Sequence, residues 1–137
     1  MCIKNSVLLV VACALFDQNN CVLLTKRPEG KSLAGLWEFP GGKVEQGETP
    51  EISLIRELEE ELGVYVQQNN LYPLTFASHS YETFHLLMPL YLCEHYEGVA
   101  QGREGQDLSW VFIGDLDKYP MPDADKPLVQ VLKNRLL

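Results

Sequence analysis

Residues 42–64 read GKVEQGETPEISLIRELEEELGV. A glycine turn leads to Thr49-Pro50, a helix start in which Thr49 suits the N-cap, Pro50 the first helical position and Glu51 the positive end of the dipole. Gly63 stops the helix. At about 100° per residue, Ile52, Ile55, Leu58 and Leu62 gather on one side, while Glu57, Glu60 and Glu61 gather on the other. The apolar set is expected to bury and the acids to face outward together. Like charges at i, i+3 and i+4 repel, so this face weakens its own helix unless a cation lies against it. Mg²⁺ or Mn²⁺, which take oxygen ligands, fit that role. A solvated acidic face is the plain alternative.

Outward from the helix, short apolar runs alternate with turn signals. Val7 to Phe16 and Cys21 to Lys26 read as a strand pair joined by Asp17-Gln18-Asn19-Asn20. Arg27-Pro28-Glu29-Gly30-Lys31 opens a loop running to about Leu36, and Trp37-Glu38-Phe39 is a short strand delivering the chain to Pro40-Gly41-Gly42. Consecutive glycines there permit a close backbone approach to a metal or phosphate. Leu71 to Ala77 and Thr83 to Cys93 read as strands, with Pro89 pointing to an edge or a bulge. Gly98 to Gln106 is a loop, Leu108 to Ile113 a strand, and Asp115 is expected to cap a helical turn. Lys126 to Leu136 is amphipathic through Leu128, Val131, Leu132 and Leu136. These elements specify an α/β (α+β) domain, a mixed β-sheet sandwiched between helices.

The 137 residues suit a single domain, 1–137, with one core. An apolar fraction of 46% with 22% charged residues belongs to a globular protein. A net charge of −8 argues against a nucleic-acid duplex or an anionic membrane as partner. The same charge would repel a polyphosphate unless cations and a few placed basic residues intervened. Cys2, Cys13, Cys21 and Cys93 have no zinc-ligand spacing and read as small buried hydrophobes, which suits a reducing cytoplasm. The run Val7 to Cys13 has the look of a secretory leader, but it continues through Phe16 into a turn, as a buried strand does. No apolar run is long enough to span a membrane.

Gly42, five residues, Glu48, seven residues, then Arg56-Glu57-Leu58-x-Glu60-Glu61-x-Gly63-Val64 resembles a complete Nudix box. Gly35-Leu36-Trp37-Glu38-Phe39-Pro40-Gly41 and Ala124-Asp125-Lys126-Pro127-Leu128 are similar to the MutT-like branch of that family. The resemblance implies the Nudix fold and Mg²⁺-dependent cleavage of nucleoside triphosphates to a monophosphate and pyrophosphate, with Mn²⁺ as a substitute. By position it makes Glu57, Glu60 and Glu61 metal ligands, with the Gly41 carbonyl completing the shell. Glu48 would orient them through Arg56, which has a competing use as the i+4 partner of Glu60.

Glu104, in Gly102-Arg103-Glu104-Gly105-Gln106, matches a metal-binding glutamate of MutT-like enzymes. Either Glu57 or Glu104 would take the proton of the attacking water. Arg27 would meet the phosphates, and Phe39 would wall the base pocket or offer its amide, or belong to the core. Asp125 stands where the MutT pattern resembles asparagine. An ionised aspartate only accepts hydrogen bonds, which leaves 8-oxo-dGTP and CTP or 5-modified dCTP as the competing substrates. His79, Tyr81 and His85 are more simply structural. A nucleotide sensor without catalysis is the other class, but such a module is expected to lose metal ligands that this chain keeps. A monomer in the cytoplasm is expected.

Overall fold

The computed structural model describes residues 6–30 and 34–136. Two sheets form its centre. The first is mixed, in the order β4-β1-β6-β5, built from Gly41–Lys43, Ser6–Leu15, Phe84–Cys93 and Tyr72–Ser80, with β1 and β6 parallel. The second is antiparallel, in the order β3-β2-β7, built from Trp37–Glu38, Cys21–Lys26 and Asp107–Phe112. Two α-helices, α1 (Pro50–Leu62) and α2 (Lys126–Leu136), cover opposite faces.

The apolar run of β1 is continuous because each face of the strand meets a different core. Ala12 and Ala14 turn toward a cluster containing Leu128, Val129 and Leu132 of α2. Val11, Cys13 and Leu15 turn toward Leu54, Leu58 and Leu62 of α1. Strand β2 divides the same way, Val22 and Leu24 on the first side and Leu23 on the second. Each fully buried leucine contributes roughly 1.5–3 kcal/mol, so both helices are fastened mainly by three-residue apolar stripes. Cys13 and Cys93 are fully buried and Cys21 half-buried, all as free thiols, while Cys2 lies outside the described residues.

Several expectations shift. Strands β1 and β2 do not form a ladder: a single bridge links Phe16 and Val22, and the chain changes sheet across the turn. Asp17 shapes that turn, its carboxylate accepting the N–H groups of Asn19 and Cys21 at 2.9 and 2.8 Å. Pro89 sits in a central strand, not an edge. The β1–β6 ladder runs through Leu9–Leu87 and resumes at Ala12–Leu90, so the missing N–H falls in the interruption. The bulge lies on the neighbouring edge strand, between Pro73 and Thr75. Asp115 lies inside the 3-10 helix Ile113–Lys118 without capping it, and pairs with Lys118 at 3.0 Å. Helix α2 buries Val129 where Val131 and Leu136 were expected to contribute.

Helix α1 begins and ends as its sequence dictates. Thr49 Oγ1 accepts the Ile52 N–H at 3.2 Å, and Gly63 closes the helix with a left-handed φ of 71°. Its buried stripe, however, is Leu54, Leu58 and Leu62 with Ser53, while Ile52 is 46% exposed. The helix packs on β4 as well as β1, which rotates the buried arc toward the Ser53 side. That rotation carries Glu57 and Glu61 off the open face and into the seam beside β4.

Candidate active site

Strand β4 supplies the floor of the seam. Its register against β1 sets Gly41 opposite Ala12 and Gly42 opposite Val11. A Cβ at Gly41 would overlap the Val11 carbonyl, and one at Gly42 would overlap the Glu57 carboxylate. Gly41 therefore lets β4 approach β1, and Gly42 leaves room for the Glu57 carboxylate beside the strand.

Glu48 and Arg56 form a forked ion pair. Arg56 Nε and Nη2 donate to the two carboxylate oxygens of Glu48 at 2.9 and 3.0 Å, and Ser53 Oγ donates to the same carboxylate at 2.6 Å. These bonds, the guanidinium first, hold the Glu48 carboxyl down at about 2. The remaining nitrogen, Arg56 Nη1, donates to Glu60 at 3.3 Å and lies 3.5 Å from Glu57. Arg56 thus serves both uses weighed from the sequence: it grips Glu48 and reaches its i+4 neighbour. One side chain ties the loop before α1 to two acids of the helix.

The Glu57 and Glu61 carboxyls lie against each other, and each shifts the other's protonation. Burial raises Glu57 above the usual carboxylate range, and it raises Glu61 further, to about 9. The bond to Glu57 and the charges of Glu57, Glu104 and Glu38 add to the effect at Glu61. Among the described residues no three acids converge into a preformed cage, and Arg56 holds Glu48 and Glu60. An all-oxygen seam whose carboxyls are pushed up by burial and by one another is short of positive charge. With side chains excluded at Gly41 and Gly42, its donor set fits a hard divalent cation.

The seam opens into a cavity of about 210 Å³ whose lining includes Arg27, Glu38, Gly41, Gly42, Glu61 and Glu104. Arg27 follows β2 directly, and its Nε donates to Glu38 at 3.0 Å. Glu104 reaches this space from the loop before β7, and that loop is bound to the end of α1. Arg103 donates its backbone N–H to the Glu61 carbonyl at 3.0 Å and Nη1 to the Glu59 carbonyl at 3.1 Å. Gln106 Nε2 also donates to the Glu61 carbonyl, at 3.1 Å. The Glu61 carbonyl, left without a partner at the helix end, thereby finds donors from a distant loop.

Phe39 and Asp125 lie one layer deeper. The Phe39 ring is 4% exposed and packs in the α2-side core, so its backbone N–H, facing the Asp125 carboxylate, is the polar group it offers. Asp125 is itself buried, and burial, then the charge of Glu38, raises its carboxyl to about 7. Near neutral pH this group is therefore present in both forms, and the neutral form can donate as well as accept.

Residues passed over in the sequence also matter to this geometry. Glu38 stands between Arg27, Asp125 and Glu61 and perturbs both of those acids. An acid on a two-residue strand beside paired glycines was the available signal. Tyr81 packs against His79 and Phe84 with ring centroids 4.6 and 5.2 Å away, and its hydroxyl accepts the Ala124 N–H at 3.2 Å. His85 lies between Ser78 and Ser80 at 2.6 and 2.7 Å, away from the seam.

The sequence matches a NUDIX domain over residues 11–131. It is 35% identical over 117 residues to the 8-oxo-dGTP diphosphatase of Escherichia coli K12, covering 85% of this chain and 89% of the relative. It is also 35% identical over 122 residues to the CTP pyrophosphohydrolase of the same organism, covering 88% and 87%. A solved MutT structure, from work on the Aliivibrio salmonicida and Vibrio cholerae proteins, superposes with a TM-score of 0.79 at 38% identity, covering 93% of this chain and 98% of that one. The match spans the seam, the cavity and both sheets, and the chain belongs to the Nudix hydrolase family.

Proposed function

We propose that this chain hydrolyses a nucleoside triphosphate to a nucleoside monophosphate and pyrophosphate, with 8-oxo-dGTP as the preferred substrate. The observation that carries the reading is the seam itself: half-buried Glu57 and Glu61 against a glycine floor, opening into a cavity that Arg27 and Glu104 share. Glu57, Glu60, Glu61, Glu104 and the Gly41 carbonyl would hold Mg²⁺, for which Mn²⁺ can substitute. When bound, the ion supplies charge neutralisation for the phosphates and lowers the pKa of a coordinated water.

The chain's own groups account for the rest. Arg27 meets the phosphate chain at the cavity wall, while Glu38 keeps its guanidinium extended. Water oxygen bonds to phosphorus as the α–β phosphoanhydride oxygen leaves with pyrophosphate, and Glu57 or Glu104 receives the proton that water loses. Glu48 and Arg56 do not touch substrate in this scheme. They fix the rotamers of Glu57 and Glu60 through the fork. The base is read by Asp125 and the Phe39 amide, the carboxyl donating to or accepting from the edge of an oxidised purine.

Cytosine nucleotides form a second reading, favoured by an aspartate at position 125. Its ionised form accepts from an exocyclic amino group, and one relative is named for CTP hydrolysis. Among the described residues no helix is long and apolar enough to cross a membrane. We assign the activity to the cytoplasmic nucleotide pool and to a single-domain monomer. Comparing kcat/KM for 8-oxo-dGTP, dGTP, CTP and 5-methyl-dCTP in Mg²⁺ tests the substrate. Highest efficiency on 8-oxo-dGTP supports the proposal, a ranking led by the cytosine nucleotides transfers it to the second reading, and no turnover on any of them overturns both.

A further inference from the structure

The loop that carries Glu104 is exposed from Gln101 to Gly105, and Gln106 is its first half-buried residue. Three attachments hold this loop without reference to Glu104. The Gln101 N–H donates to the Leu62 carbonyl at 2.9 Å, and Arg103 makes the two bonds to Glu61 and Glu59 described above. The Gly105 N–H closes a turn on the Gly102 carbonyl at 3.2 Å. These fix where the loop lies. The Glu104 N–H makes one further bond.

That bond is made by Gln106. Its amide nitrogen donates to the Glu61 carbonyl at 3.1 Å, and its amide oxygen accepts the Glu104 N–H at 2.8 Å. One planar side chain therefore spans from the helix turn bearing Glu61 to the peptide bearing Glu104. The length and chemistry are specific. Leucine makes neither bond, and glutamate accepts from Glu104 but repels both the Glu61 carbonyl and the negative end of the helix.

We propose that Gln106 is a positioning residue for Glu104, its side-chain amide setting the reach of the Glu104 carboxylate toward Glu57 and Glu61. The inference rests on the reading of Glu104 as part of the cation and proton-transfer site. It gives the Gly-flanked loop a second functional position.

The test is a kinetic cycle on the full chain with Glu104→Gln, Gln106→Leu, Gln106→Glu and the double variant E104Q/Q106L. Mn²⁺ affinity, read from the paramagnetic resonance of the free ion, and thermal unfolding are measured in parallel. Residues that orient such ligands cost about 10- to 100-fold in activity or metal affinity when removed. Both Gln106 variants are expected to lose kcat in that range with KM nearly unchanged, to weaken Mn²⁺ binding, and to unfold close to wild type. In the double variant the Gln106 change adds nothing to the loss from E104Q. Wild-type kcat in Q106L overturns the inference, as does a Q106L loss that multiplies fully with E104Q, since that would place its effect on the helix end alone. Full activity in E104Q removes the reading of Glu104 and the inference with it, an outcome distinct from the other two.

Discussion

Replacing Glu61 by glutamine should make the metal-free protein more stable while disabling it. Glu61 has its carboxyl raised by burial from 4.5 to about 9, so at pH 7 it is protonated in the folded chain and ionised in the unfolded one. Folding at pH 7 therefore works against the ionisation that the unfolded side chain enjoys over the interval from 4.5 to 7. At about 1.4 kcal/mol per pH unit, that opposes folding by about 3 kcal/mol. The sign follows from a raised folded pKa. The favourable contribution is complete below 4.5 and is lost as pH rises toward about 9. A glutamine has no proton to bind, so its stability does not follow this curve. For a chain of this size, about 3 kcal/mol corresponds to roughly 10 °C in Tm. Unfolding followed by circular dichroism in EDTA at pH 4.5 and pH 8 is the assay. Glu61→Gln should unfold near wild type at pH 4.5 and, with the opposing interval widened to about 5 kcal/mol, roughly 15 °C higher at pH 8, and Mg²⁺ should raise the wild-type Tm and leave the variant nearly unmoved. A variant no more stable than wild type at pH 8, or a gap independent of pH, would show that burial does not hold a proton on Glu61.

Other perturbations reach different parts of the site. Arg56→Lys keeps the charge but cannot make the fork to Glu48, so kcat should fall about 10- to 100-fold with the fold intact, as steady-state kinetics and circular dichroism would register. Gly42→Ala pushes a methyl group into the Glu57 carboxylate. Displacing a reacting group by about 1 Å costs on the order of 100-fold in rate, and kinetics with an unfolding curve will separate that loss from misfolding. Asp125 titrates near 7 because burial raises it from 3.8. Preference for cytosine over oxidised purine nucleotides should therefore rise between pH 6 and pH 8 in wild type and stay flat in Asp125→Asn, read as a ratio of kcat/KM values.

The helix, its caps and its acidic cluster were legible in the sequence because they depend on residues near one another. Thr49, Pro50 and Gly63 act where they stand. The buried arc was displaced because its position depends on β4, a neighbour that local periodicity does not contain. Ile52 was expected inside and lies 46% exposed, while Leu54 is fully buried. The same displacement explains why Glu57 and Glu61 occupy a seam instead of an open face. Arg56 was legible as a choice between two partners, and its three nitrogens allow both. Asp125 could not be read correctly as a plain anion, since its protonation is set by burial and by Glu38, residues far away in sequence. Gln106 carried no signal beyond its glycine neighbours, because its two bonds join segments that meet only in the folded chain.

The decisive measurement is the phosphorus resonance of 8-oxo-dGTP incubated with the protein in Mg²⁺. Cleavage between the α and β phosphates yields 8-oxo-dGMP and pyrophosphate in equal amounts, stopping when EDTA is added. Release of orthophosphate as the only inorganic product, or cleavage that continues in EDTA, would contradict the proposed reaction.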